Sequence, residues 1–304
     1  MNYKYLFLLV FFFCTAFFVY ANGSGEDLVI YYSSSLNGNL DGCDCENHPR
    51  SGLVKRAHFL RNIEHPERAV ILDAGDIFDP YPDQVLSEYI LQVYHDLGYD
   101  AIGVGEQEFS LGSQELLTFQ QDYPFLCNNL TVCVSDISCV FFSPEPLVLE
   151  RNGYSIGIIS VTHPSVFAVA DEDIQHAVSL SPPEDVLANL VPPLSNETDM
   201  VICIYHGRIG DAVSAAESVE GIDLMLIGHE QRMVPERLAG DTLIVSPGEE
   251  GNWLGELRID FNNGEIVGYE NELHRFYYND DPDDPQVREM LDEYYNDLIL
   301  QVTN

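Results

Sequence analysis

Short apolar runs that stop at polar tips recur along the chain and predict buried strands alternating with helices. Asp27 to Tyr32 reads as a first strand, running into the polar loop from Ser33 to Leu40 with its Asn37-Gly38 turn. Leu53, Ala57, Leu60 and Ile63 share one face at helical spacing. Val70-Ile71-Leu72 predicts a second strand, stopping at Asp73-Ala74-Gly75-Asp76, where the glycine permits a tight turn. Leu86, Tyr89, Ile90, Val93 and Leu97 give an apolar face to a helix from Gln84 to Leu97, closed by Gly98. Ala101 to Val104 reads as a third strand, ending at Gly105-Glu106-Gln107-Glu108-Phe109.

The segment from Phe125 to Phe142 carries three cysteines and an Asn129-Leu130-Thr131 glycosylation pattern, and reads as an exposed excursion. A hairpin is expected from Leu147 to Val161 around Asn152-Gly153. A helix from Pro182 to Leu190 precedes the near-continuous apolar strand Met200 to Tyr205, which ends at His206-Gly207. A helix from Asp211 to Val219 leads to a strand from Leu224 to Ile227 that ends at Gly228-His229-Glu230-Gln231. Thr242 to Val245, Trp253 to Phe261 and Glu265 to Phe276 read as antiparallel strands. An acidic linker, Asp280 to Asp284, and a helix from Pro285 to Val302 close the chain. Alternating elements with a late antiparallel section predict an α/β sandwich with mixed sheets.

Charge and cysteines add a compartment to this picture. The formal net charge of −37 leaves no basic patch for nucleic acid or an anionic membrane. Residues 1–21 combine Lys4, an apolar stretch rich in Leu and Phe, and small Ala21, the pattern of a signal peptide. The expectation is export to a periplasmic or extracellular space, with no membrane contact after cleavage and an oligomeric state left open. Six cysteines then remain, Cys43, Cys45, Cys127, Cys133, Cys139 and Cys203. Disulfides are permitted there, and six cysteines allow about fifteen pairings. Cys203, inside an apolar strand, reads as a buried thiol.

Five buried strands end in polar tips: Ser35/Asn37, Asp76, Glu106/Gln107, His206 and His229/Gln231. If these ends share one edge, two carboxylates and two imidazoles face a common point, a donor set suited to Zn, Mn or Fe. Taken singly, each His reads more readily as a hydrogen-bonded loop residue.

In this order the motifs resemble the 5′-nucleotidase branch of the calcineurin-like metallophosphoesterases, from about Leu28 to Phe276. Where that family has Asn-Asp-x-His-Gly, this chain reads Ser34-Ser35-Leu36-Asn37-Gly38. Gly75-Asp76 is kept, Gly-Asn-His-Glu becomes Gly105-Glu106-Gln107-Glu108, and Gly-His-x-His becomes Gly228-His229-Glu230-Gln231. The resemblance implies a metallophosphoesterase-type α/β/β/α sandwich over residues 22–276, followed by a connector over 277–304. The family's second, nucleoside-gripping domain is expected to be absent, and its supply by a separate subunit is left open. The resemblance also implies that one metal position, now Ser35, Asn37, Asp76 and Gln231, has lost three of its four ligands. The other position, Asp76, Glu106, His206 and His229, keeps a full set for one divalent ion.

Two divalent ions with two Asp ligands leave a site near about +2, whereas one ion with two carboxylates leaves it near neutral. An added carboxylate about 4 Å from a phosphate costs about 4 kcal/mol at an effective dielectric of about 20, roughly a thousandfold in rate. Gln107, where the family has its motif His, cannot act as a general acid, which removes about another hundredfold. The expectation is weak or altered hydrolysis of a small phosphorylated ligand. The alternative is a non-catalytic binding or scaffold protein on the same fold. A third reading draws on Cys43 and Cys45, which with His48 suit a redox or metal role. The plainer account of that pair is a set of disulfides tying the loop down, with the Cys127–Cys139 excursion as a candidate partner.

Overall fold

The computed structural model describes residues 28–135 and 138–303, so the leader expected over residues 1–21 lies outside the described residues. Chain order begins with β1 (Leu28–Ser33), α1 (Gly52–Arg61), β2 (Ala69–Asp73), α2 (Gln84–Leu97), β3 (Ala101–Gly103) and α3 (Ser113–Asp122). Next come β4 (Phe125–Leu126), β5 (Leu130–Ser135), β6 (Ser138–Phe141), β7 (Leu147–Arg151) and β8 (Tyr154–Thr162). They are followed by α4 (Glu172–Ala177), β9 (Val178–Leu180), α5 (Pro183–Ser195), β10 (Met200–Gly207), α6 (Ile209–Ser218) and β11 (Leu224–His229). The last are β12 (Met233–Ala239), β13 (Thr242–Pro247), β14 (Trp253–Asn262), β15 (Glu265–Arg275) and α7 (Pro285–Thr303).

Two six-stranded sheets form, in the orders β15-β14-β1-β2-β3-β4 and β12-β13-β11-β10-β8-β7. Both are mixed: β1, β2, β3 and β4 run parallel, and β14, antiparallel to β1, carries the antiparallel edge strand β15. Strands β8, β10, β11 and β13 are parallel, with antiparallel β7 and β12 at the edges. Strand periodicity assigns the layers. Leu28, Ile30 and Tyr32 face inward with Val70 and Leu72 to meet Ile158, Ile202, Ile204 and Leu226 of the second sheet. Val29 and Tyr31 point the other way, into a core with α1, α2, α3 and α7, while α5 and α6 cover the second sheet. The result is the expected α/β/β/α sandwich.

Several details depart from the sequence reading. Helix α5 runs on through Pro192 and Pro193 to Ser195, past the predicted end at Leu190. Helix α3 and strand β12 have no counterpart among the predicted elements. The excursion folds as a small sheet, β6-β5-β9, and Asn129 is not exposed. Its amide donates to the Thr162 and Ser181 carbonyls and accepts from the Thr162 N–H, so the glycosylation pattern is occupied by a structural residue.

The cysteines also differ from expectation. Cys43 pairs with Cys45 and Cys133 with Cys139, so both disulfides are local and neither joins the two loops. Cys127 is a buried thiol, pushed up to about 11 by burial, and Cys203 is buried as predicted. Thiol titration of protein beginning at residue 22, unfolded without reductant, is therefore expected to give two thiols per chain, and native protein close to none. A count of four or more would remove one of the bridges.

Beneath the site lies a buried polar network. Arg56, fully buried, donates to Tyr94 and lies 4.0 Å from the Asp73 carboxylate, which also accepts from Ser33 and Tyr94. Helix α7 belongs to the same body as the sheets: Val287 and Leu291 are buried in the outer core. The acidic stretch before it is anchored by Lys55 to Asp283 at 2.7 Å and Arg61 to Asp284 at 3.0 Å. No helix among the described residues is long and apolar enough to cross a membrane.

Candidate metal centre

Parallel pairing aligns the carboxyl ends of β1, β2 and β3 in one sheet, and those of β10 and β11 in the facing sheet. The polar tips therefore meet at one edge, the usual place for chemistry in such sheets. Asp76, Glu106, His206 and His229 each bring one ligand atom within 4.8 Å of all the others. His206 Nε2 lies 3.2 Å from Glu106 Oε2 and 3.4 Å from Asp76 Oδ2, and His229 Nδ1 lies 3.1 Å from Glu106 Oε1.

The surroundings aim these groups. His206 is fully buried, and its Nδ1 donates to the Ala74 carbonyl at 2.7 Å, leaving Nε2 directed at the carboxylates. Glycine is required at 105, where a Cβ would sit 2.4 Å from both Asp76 Oδ1 and the His206 ring. Five site residues, Ser35, Asn37, Asp76, His229 and Gln231, adopt positive φ, of nine non-glycine cases among the described residues. Backbone strain concentrates here, as it does at functional sites.

Charge distribution follows from this packing. Burial opposes ionisation of Glu106, but the neighbouring His206 and His229 imidazoles outweigh it and hold the carboxyl well below the usual range. Burial likewise disfavours the His206 cation, and the Asp76 and Glu106 carboxylates more than reverse that effect. His229 Nδ1 is buried without a hydrogen-bond partner despite its closeness to Glu106. Two carboxylates and two imidazoles, one of them with a ring nitrogen lacking a hydrogen-bond partner, converge here and fit a divalent metal ion.

The remaining positions singled out in the sequence form the adjoining half of the cleft. Asn37 Oδ1 accepts from Gln107 Nε2 at 3.1 Å and from Gln231 Nε2 at 3.3 Å. Ser35 is fully buried and its hydroxyl lacks a partner. Two of these neutral amides donate to the third, and the set suits a divalent ion poorly.

Glu108 stands within a motif of the sequence but has no role in the reading of that motif. Its buried carboxyl accepts from the backbone N–H groups of Gly105 at 2.6 Å, Ile77 at 2.8 Å and Asp76 at 3.0 Å. It thus ties the turn after β2 to the loop after β3, the two segments that carry Asp76 and Glu106. Its place two residues after Glu106 is the available signal. The reading of Cys43, Cys45 and His48 as a joint site changes: the cysteines are bridged, and His48 Nε2 contacts Glu250 Oε2 at 2.5 Å.

Comparison with known proteins agrees with this architecture. A 5′-nucleotidase of Diplobatis ommata is 23% identical over 278 residues, covering 75% of this chain and 44% of that protein. Among solved structures, a 5′-nucleotidase precursor from Thermus thermophilus superposes with a TM-score of 0.75 at 21% identity, covering 90% of this chain and 59% of that one. The calcineurin-like phosphoesterase YfkN from Bacillus subtilis gives 0.74 at 17% identity, covering 91% of this chain and 99% of that one. The chain has the fold of the 5′-nucleotidase-type, calcineurin-like phosphoesterases and is similar to them at low identity. Its relationship is distant, and no protein-family model matches it. It spans less than half the length of the curated relatives it matches.

Proposed function

We propose that this is an exported metallophosphoesterase-type protein that holds one divalent ion, Zn, Mn or Fe, between Asp76, Glu106, His206 and His229. The ancestral second ion position has been given up to Ser35, Asn37 and Gln231. The activity is hydrolysis of a small phosphorylated ligand, slow or altered relative to a 5′-nucleotidase. The observation that carries this reading is the convergence of four ligand atoms within 4.8 Å, beside an amide cluster at Asn37. The leader-like residues 1–21 support export.

When bound, the ion supplies Lewis-acid polarisation of a phosphoryl oxygen. The chain's own groups set the limits. Asp76 and Glu106 balance the charge of a divalent ion, leaving little net attraction for a phosphate dianion. Gln107 donates its amide N–H to Asn37 and has no proton to give a leaving group. The same hydrogen bond favours the second reading, a binding protein that keeps the ion without turnover.

Elemental analysis is expected to find one divalent ion per chain, lost in Glu106→Ala and His229→Ala variants. AMP hydrolysis is expected to run at least about a thousandfold below ordinary enzyme rates. AMP turnover at ordinary rates refutes the altered-activity reading. An ion retained by the Glu106→Ala variant refutes the ligand set. Retention of the ion with no hydrolysis across a broad phosphoester screen selects the binding protein.

A further inference from the structure

A pocket of about 230 Å³ adjoins the metal centre, sharing Glu106 with it but not Asp76, His206 or His229. Its polar lining is Glu106, Gln107, Ser110 and Asp171, and its apolar wall includes Val169 and Ile174. Among the described residues, this lining contains no Lys, Arg or His. Two polar atoms of the lining, Gln107 Oε1 and Ser110 Oγ, are buried without a hydrogen-bond partner. Gln107 Nε2 is committed to Asn37, which leaves the carbonyl end of the amide as an acceptor. The Asp171 carboxylate does not cap the α4 helix that it precedes. Val169 is 93% exposed, an apolar rim at the mouth.

We propose that this pocket binds the ammonium end of a short aliphatic amine. A primary ammonium carries three donors and no acceptor. Gln107 Oε1, Ser110 Oγ and the Asp171 carboxylate are three acceptors, and the charge of Asp171 complements that of the ligand. Ser110 Oγ comes to the ligand by rotation about its Cα–Cβ bond, and Gln107 Oε1 by a side-chain movement that exchanges the Asn37 bond for the ligand. Val169 and Ile174 cover the alkyl chain. A phosphate or carboxylate group finds the Asp171 carboxylate here and no Lys, Arg or His side chain, so the pocket's own groups disfavour it. The overall charge of −37 further favours the approach of a cation. The inference deepens the proposed function by naming the group recognised next to the ion. It rests on that reading only for the neighbouring ion.

The test uses full-length protein near pH 7 with three probes of one shape: propylamine, propan-1-ol and propionate. Propylamine is protonated there, as an alkylamine of the lysine type. Calorimetry or ligand-observed NMR is expected to rank the amine at least about tenfold tighter than the alcohol, with propionate not binding. Asp171→Asn and Ser110→Ala are each expected to weaken amine binding by about tenfold with metal content unchanged. Equal binding of amine and alcohol, measurable binding of propionate, or an unaltered Asp171→Asn variant overturns the proposal. The titration is repeated after chelation. Amine binding that survives chelation belongs to the pocket, and amine binding that disappears with the ion is coordination and also overturns it. If untreated protein carries no ion, the proposed function fails while the amine test stands.

Discussion

A variant carrying Ser35→Asp, Asn37→His and Gln231→His is expected to bind two divalent ions per chain where the parent binds one. Phosphomonoester hydrolysis is expected to rise by about a thousandfold, the factor assigned to unbalanced charge at the phosphate. The geometry is prepared for this change. The backbone of the first loop is tied to the Asp76 turn, with Ser35 N–H donating to Gly75 O and Asn37 N–H to Asp76 O, both at 2.9 Å. Side chains 37 and 231 already meet, through the 3.3 Å bond from Gln231 Nε2 to Asn37 Oδ1. All three positions hold positive φ, and Asp and His tolerate that region better than most residues. Ser35 is fully buried, so an aspartate introduced there needs a cation nearby. The triple variant should therefore unfold at lower temperature than the parent after chelation and recover when metal is added. Elemental analysis and a chromogenic phosphate ester measure the two effects. A second ion bound with no gain in hydrolysis would leave Gln107 and the retained Glu106 carboxylate as the remaining deficits.

Much of this arrangement is legible in the chain because strands announce their ends. Val70 to Leu72, Met200 to Tyr205 and Leu224 to Ile227 are apolar on both faces and stop at Asp, His or Gly, so the tips stand out. Their convergence requires a topology that composition does not carry, namely parallel pairing of β1–β2–β3 and of β10–β11 in facing sheets. Short-range features are harder to read. Asn129 resembles a surface acceptor because its triplet is local, while its burial depends on Thr162 and Ser181, more than thirty residues away. Six cysteines, read with the expectation of export, suggest bridges between distant loops, but the hairpin register sets Cys133 opposite Cys139. The pairing of Cys43 with Cys45 has no comparable signal. Glu108 goes unassigned because a buried carboxylate whose partners are backbone N–H groups leaves no side-chain pattern in sequence.

Glu108→Gln is expected to be the most damaging single isosteric change near the centre, lowering stability by about 2–4 kcal/mol. One Glu108 oxygen accepts from both Asp76 N–H and Gly105 N–H, and the other from Ile77 N–H. An amide must turn an NH₂ group, which accepts nothing where even a protonated carboxyl's hydroxyl oxygen can still accept, toward one of these donors and leave buried N–H groups unpaired. The turns carrying Asp76 and Glu106 then separate, so metal affinity falls together with stability. Ionisation gives the same residue a pH signature. Burial, and then the Asp76 charge, push its carboxyl up to about 8, against roughly 4.3 for an exposed glutamate. Between those values the folded chain keeps a proton that the unfolded chain has released. The unfolded state binds fewer protons, so stability falls as pH rises across that window. His206, also raised, contributes with the same sign once pH passes its unfolded value. Chelated protein should therefore melt at a lower temperature at pH 8 than at pH 5. The slope should flatten in Glu108→Gln, and also in metal-loaded protein, where a cation at Asp76 favours the ionised carboxylate. A chelated protein whose melting temperature rises over this range would mean that the three N–H donors outweigh burial and keep Glu108 charged throughout.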